Sequence, residues 1–269
     1  MYRIYTHTLL CALVALSTLL MLQSAIAESI FFADFEDGTG VNDVSQWVPE
    51  NPAQKWEIAD FPGSGKGLKQ TQEGCNKSGN TPLPGAIDFS DGVIQLDMSW
   101  GDDDSWGVVL RQSAPDKGYL VVFGYNETPA VIVALLDKGC AAVGKCLDQS
   151  GCENNPANTL VQVDHGLGKG LTQDLSVAYR GRIEAIGDTI KVWYLPRDDA
   201  PANLKAKSEE WGKPLVEIKD GTHKSGAVGV WHESMSNSMI DNVWVHSGPV
   251  AVDTQGKLAA SWGYIKASY

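Results

Sequence analysis

The chain has 269 residues, 43% of them hydrophobic, and carries 33 acidic against 21 basic side chains for a formal net charge of −12. That imbalance argues against nucleic acid and anionic lipid, since both repel an acidic surface, and it suits cations or neutral ligands such as glycans. The length fits one large β-sandwich and does not demand two domains.

The first element stands apart from the fold. Arg3 precedes an apolar run from Leu9 to Leu22, and Ala25-Ile26-Ala27 places small residues at a cleavage site. This pattern reads as a secretory signal peptide over residues 1–27. The run is short for a membrane span, and no later segment approaches the ~18 apolar residues that one requires. The mature chain is therefore expected to be exported, to the extracellular space, the periplasm or the cell surface, without membrane insertion.

Cys11 leaves with the leader. Cys75, Cys140, Cys146 and Cys152 remain, an even number that reads as two disulfides in an exported chain. The last three lie six residues apart in CAAVGKCLDQSGC, inside the long connection 137–158, which has little core of its own. One bridge within this loop and one from it to Cys75 is the expected arrangement. A metal cluster is the rival, but the spacings lack a C-x-x-C pair.

After the leader, helical periodicity is nearly absent. Strand-like runs follow in order: FFADF, KWEIADF, KGLKQT, GVIQLDMSW, SWGVVLR, GYLVVFGY, AVIVALL, TLVQVD, LSVAYRGRIEAI, TIKVWYL, PLVEIKD, SGAVGVW and MIDNVWV. Gly, Asp, Asn and Pro punctuate them. Gly187-Asp188 between two strands is a hairpin signal, and Asp220-Gly221 marks another turn. The segment 200–212, APANLKAKSEEWG, is the one helix candidate. About a dozen strands on antiparallel turn signals imply an all-β, two-sheet antiparallel jelly-roll sandwich over residues 28–248. Residues 249–269 form a C-terminal tail in which Leu258, Trp262 and Ile265 fall at the spacing of a short amphipathic helix. The tail either docks or frays, or serves as an attachment peptide.

Three stretches, WGDDDSWGVVLRQSAPDKGYLVVFGY, YRGRIEAIGDTIKVWYL and PLVEIKDGTHKSGAVGVWHESMSNSMIDNVWV, resemble laminin G-like jelly rolls of the concanavalin A-like lectin/glucanase superfamily. The resemblance is to secreted bacterial domains related to the three-keto-disaccharide hydrolase type, and it covers roughly residues 30–247 apart from the cysteine loop. It implies a jelly roll, and carbohydrate binding or glycoside cleavage; fold alone does not decide between them.

In a jelly roll the first and last strands often lie side by side. Asp34, Glu36 and Asp37 would then approach Asp241, and calcium, which takes six to eight oxygens, would relieve their repulsion. The resemblance implies a structural calcium at this place; the alternative is plain solvation of turn acids. The run Asp102-Asp103-Asp104 reads as a polar hairpin, with a loop calcium or a sugar contact as its rival.

Sugar rings stack on aromatic side chains. Period two places Trp106, Val108 and Leu110 on one face and Arg111 on the other, while Tyr119, Val121, Phe123 and Tyr125 share a face. A glycan groove of Arg111, Tyr119, Tyr125, Trp231 and His232 is the candidate; the alternative is that the aromatics are core.

As to catalysis, Glu57 and Asp60, like Glu217 and Asp220, are three apart and face opposite ways on a strand. Asp97 has Gln95, not Glu, two positions before it. No nucleophile elbow, His-Glu-x-x-His or phosphate loop is present, and His165, His223, His232 and His246 are scattered. Asn76 and Asn126 sit in glycosylation sequons. The expected function is a secreted, non-catalytic carbohydrate-binding or adhesion module of lectin type, with glycans or a cell-surface polysaccharide as partner. A glycoside hydrolase or a structural component of an extracellular layer are the alternatives.

Overall fold

A computed structural model describes residues 29–125, 127–140, 143–150, 157–167 and 176–248. The leader, the tail with Leu258, Trp262 and Ile265, Cys152 and the sequon residue Asn126 lie outside the described residues.

Among the described residues, fifteen strands form two antiparallel sheets. The first sheet runs β13 (Val216–Lys219), β12 (Thr189–Pro196), β11 (Ala178–Ile186), β6 (Gly92–Ser99), β15 (Met239–Ser247), β3 (Ser64–Gln70) and β2 (Trp56–Phe61), with β1 (Ser29–Ala33) also on β15. The second runs β10 (Thr159–Asp164), β9 (Ala130–Leu135), β8 (Lys117–Gly124), β7 (Ser105–Ala114), β14 (Gly226–His232) and β4 (Gly79–Pro82), with β5 (Asp88–Phe89) on β14. This is the two-sheet jelly-roll sandwich that the turn spacing implies. The first and last strands do pair, Phe32 opposite Trp244 and Ala33 opposite Val243.

The space between the sheets is filled by the inward residues of each strand: Leu96 and Met98 from β6, Val108 and Leu110 from β7, Tyr119, Val121 and Phe123 from β8. At one end Trp100 stacks on Tyr125 at 5.2 Å and meets Tyr179 edge-on at 5.3 Å. Gly187 and Asp188 make the two-residue β11–β12 turn, with Gly187 at φ 58° and Ile186 paired to Thr189. That is the positive φ a tight hairpin needs.

The outward faces are also covered. Val109, Leu120, Val122, Ile132, Ala134 and Trp231 point away from the main core and form a second apolar cluster with Leu136, Cys140 and Leu147 of the cysteine loop. The unbroken apolar runs of β8 and β9 have this cause: both faces of these strands are buried. The loop is held by a Cys75–Cys146 disulfide, the expected link from loop to Cys75, and Cys140 is disulfide-bonded as well. Its short helix α1 (Leu147–Ser150) starts on Glu233, which accepts the Leu147 amide at 2.7 Å.

Segment 197–212 covers the outer face of the first sheet, and here the helix expectation for 200–212 is corrected. The chain makes only 3-10 turns at Arg197–Asp199 and Ser208–Trp211. Pro201 has no amide to donate, and the Asn203 side chain takes the Lys205 amide at 2.9 Å, a local bond that competes with helix. Among the described residues no helix is long and apolar enough to cross a membrane.

Candidate functional site

The five groove residues are brought together in no open groove; each is buried. Tyr119 and Tyr125 share a face, as period two requires, but that face is the inter-sheet core. Arg111 leaves the alternation at a bulge, where its φ is 53° and the β7–β8 register slips. Its guanidinium turns inward to the carbonyls of Ser90 (2.7 Å) and His223 (3.2 Å) and to Asp91. Trp231 lies beneath the cysteine loop. His232 packs against Trp56 and Trp106 and pairs with Gln70; burial pushes its pKa down to about 4, so it is neutral. Large aromatics supply core area here.

Asp241 and Asn242, polar residues within an apolar strand, sit at a second bulge. The β15–β6 register shifts between Asp241 and Trp244, and Asn242 adopts φ 49°, a left-handed conformation that Asn tolerates. Asp241 is buried, and its pKa is pushed up to about 7 by burial first, then by the neighbouring Asp97, Glu36 and Asp34 carboxylates. Asp34 and Asp37 both accept the Asn42 side-chain amide at 3.0 Å, and Glu36 accepts the Lys66 backbone amide at 2.9 Å. The first and last strands thus bring Asp34, Glu36 and Asp241 within electrostatic reach. Asp37 turns toward Thr39 and Asn42.

A larger acidic gathering lies elsewhere among the described residues. At one end of the sandwich a cleft of about 630 Å³ is lined by seven carboxylates. Asp102, Asp103 and Asp104 come from the β6–β7 turn, Glu127 from the β8–β9 turn and Glu233 from the β14–β15 connection. Glu73 follows β3 and Asp148 belongs to α1. The turns are tied together: Glu127 donates its amide to the Asp103 carbonyl at 3.0 Å, and Gly74 donates to the Ser234 hydroxyl at 2.8 Å. The Cys75–Cys146 bridge forms part of the wall.

One oxygen each of Asp102, Asp103 and Asp104 lie within 4.8 Å of one another, and so do those of Asp104 and Glu233. Burial pushes Glu233 up to about 8, with Asp104 and Asp148 adding to the rise. Burial also pushes Asp104 up to about 7, reinforced by Glu127, Asp102, Asp103 and Glu73. Asp102 is raised too, again mainly by burial. Without a cation this cleft binds protons at neutral pH; with one it can offer several oxygens to a hard ion. The sequence marks Asp102–Asp104 as a polar turn. Glu127 and Glu233 carry no local signal beyond an acid beside a strand end.

A pH dependence follows. Glu233, Asp104 and Asp241 have folded pKa values above those of free carboxyls, so the native state holds more protons between about pH 4 and 8, and stability falls as pH rises through that window. Neutral His232 works oppositely, but only below its unfolded value near 6.5. In metal-free buffer, stability should therefore drop by on the order of 2 kcal/mol from pH 6.5 to 8. Urea unfolding at the two pH values measures this, and a flat profile would refute the protonated cleft.

No protein-family model matches the chain, and no curated protein matches its sequence. Among solved structures, similarity extends to the carbohydrate-binding module CBM66 of Bacillus subtilis, at 14% identity and TM-score 0.42 over 73% of this chain and 97% of that one. A second is the GlcNAcα1-4Gal-releasing endo-β-galactosidase of Clostridium perfringens, at 11% identity and TM-score 0.45 over 84% of this chain but only 64% of that one. A third is the catalytic domain of the Thermotoga petrophila endo-1,3-β-glucanase (laminarinase), at 10% identity and TM-score 0.45 over 82% of this chain and 98% of that one. Likeness at this level carries neither ligand nor chemistry across, and the fold assignment rests on the strand pairing itself.

Proposed function

We propose that the chain is an exported, non-catalytic glycan-binding module whose acidic cleft holds its ligand through a calcium ion. The observation that carries this reading is the lining, which brings together seven carboxylates with no Lys, Arg or His among the described lining residues. A calcium ion neutralises such a site and keeps coordination positions for outside oxygens. Neighbouring sugar hydroxyls are oxygens of that kind, and the remaining carboxylates accept their protons in hydrogen bonds. The Cys75–Cys146 bridge suits an oxidising compartment. The resemblance-based calcium beside Asp34, Glu36, Asp37 and Asp241 belongs to the same proposal as a structural ion.

A glycan array probed in calcium and in EDTA tests the reading. Binding should fall at least tenfold in EDTA and in Asp104→Asn. Binding indifferent to both would overturn it. A second reading, glycoside hydrolysis, is favoured by the Asp104–Glu233 pair, whose oxygens lie within 4.8 Å of each other as in retaining enzymes; Glu233, raised to about 8, would be the acid and Asp104, at about 7, the nucleophile. Calcium-independent release of reducing ends, abolished in Glu233→Gln, would select that reading.

A further inference from the structure

The outer face of the first sheet carries side chains that a purely structural sandwich does not need. Gln95 and Asp97 on β6, Arg180, Arg182 and Glu184 on β11, and Trp193 on β12 all point away from the main core, and segment 197–212 roofs them. The guanidinium carbon of Arg182 lies 5.7 Å from the Trp193 ring and 5.4 Å from the ring of Trp211, which belongs to the roof. Arg182 is thus held between two indoles, one fixed to the sheet and one supplied by the cover.

Two features mark this contact as incomplete. The Nε–H of Arg182 and the indole N–H of Trp211 are buried with no acceptor among the described residues, a costly arrangement for donors so placed. The roof itself is lightly fastened. Of its sixteen residues only Ala200, Ala206 and Trp211 are buried. Its ties to the sheet are mostly single polar bonds: the Gln95 amide to the Leu204 carbonyl (2.6 Å), Arg180 to the Pro201 carbonyl (2.8 Å), Arg182 to the Ser208 hydroxyl (3.1 Å), the Ser208 hydroxyl to the Glu184 carboxylate and the Trp193 indole to the Gly212 carbonyl (3.0 Å), with Arg197 lying over the Phe61 ring at its start. Gly212 ends the segment at φ 70° and ψ −154°, a region that essentially only glycine occupies. A segment with little buried apolar surface and a glycine at its end belongs to the part of a fold that opens first.

We infer that segment 197–212 is a lid over a second ligand face and that Trp211 is its built-in placeholder. When the lid lifts, Trp211 withdraws from Arg182 and leaves the Trp193 ring, the Arg182 fork, the Gln95 amide and the Glu184 carboxylate exposed together. A flat apolar plate ringed by donors and an acceptor fits a hydroxyl-rich ring, that is, a saccharide unit. The ring's oxygens supply the acceptor that Arg182 Nε–H lacks. The ligand class rests on the glycan reading above. The site does not, since it contains none of the cleft's carboxylates.

The experiment uses the full chain in EDTA, so that calcium-held binding at the cleft is silent. Hydrogen exchange should show residues 197–212 exchanging at least tenfold faster than β11 and β12. On the same glycan array, Trp211→Ala should bind at least fivefold more strongly than the wild type, and adding Arg182→Met should remove the gain. Ser208→Ala, which releases a lid tie without touching Trp211, should give a smaller gain in the same direction and serves if Trp211→Ala does not fold. Lid amides as slow as those of β12, no gain in either variant, or a gain that survives Arg182→Met would each overturn the lid. Loss of calcium-dependent binding alone would strike the cleft reading and leave this one standing.

Discussion

Asp97→Ala should destabilise the protein by about 3–5 kcal/mol, the range for removing one partner of a buried ion pair. Asp97 is fully buried on β6, and Arg180 of β11 grips it with two bonds, Nε to Oδ1 at 2.5 Å and a terminal nitrogen to Oδ2 at 2.8 Å. Asn242, at the β15 bulge, donates a third bond to Oδ2 at 3.1 Å. Without the carboxylate, the Arg180 guanidinium stays buried with only the Pro201 carbonyl for company. Three strands of one sheet and the 197–212 cover meet at this residue, so the loss should appear as a Tm lower by roughly 10 °C, at ~2–4 °C per kcal/mol for a domain of this size. Replacing both partners by apolar residues should recover most of it, because the larger cost is the charge left alone. Urea unfolding of the two single variants and the double variant measures the coupling. A single-variant loss under 1 kcal/mol would mean that the pair is solvated.

Removing the Cys75–Cys146 bridge as the double serine variant should cost about 4 kcal/mol from chain entropy, given a sequence separation of 71 residues. It should also do more than lower stability. The bridge fastens the cysteine loop, and Leu136, Cys140 and Leu147 of that loop shield the outward apolar side chains of β7, β8, β9 and β14. With the loop released, Val122, Ile132 and Trp231 would meet water. Increased binding of an apolar dye and a red-shifted tryptophan emission, both at temperatures where the far-UV spectrum is unchanged, are the expected signs. A lowered Tm with neither sign would show that Leu147, through its amide bond to Glu233, holds the loop without the disulfide.

Strand content was plain in the sequence because it is written locally. TLVQVD is β10 from end to end, and Gly187-Asp188 marks the β11–β12 hairpin without ambiguity. The two strands that sequence reading missed, β4 with GNTP and β5 with two residues, have no apolar alternation to betray them. Sidedness proved harder. Period two assigned Val108 and Val109 to opposite faces correctly, then failed at Arg111, where a bulge inserts residues and turns the side chain inward. The proposed groove fell with it, since Tyr119 and Tyr125 were rightly paired but their shared face was the core.

The amino-acid order alone determined an all-β sandwich with antiparallel turns and, beyond residue 27, an even set of cysteines able to pair. These follow from hydrophobic period, turn chemistry and charge, which act over a few residues at a time. Only the tertiary structure decided what lies on the outer faces and at the ends. It seated the cysteine loop on one sheet and 197–212 on the other, and it collected acids from Glu73 to Glu233 into one cleft. Those juxtapositions join residues as far as 160 positions apart in the Gly74–Ser234 bond and 163 in the Ser236–Glu73 bond. They depend on strand order and bulge position, which are set by how the whole core packs and leave no mark on any single stretch of chain.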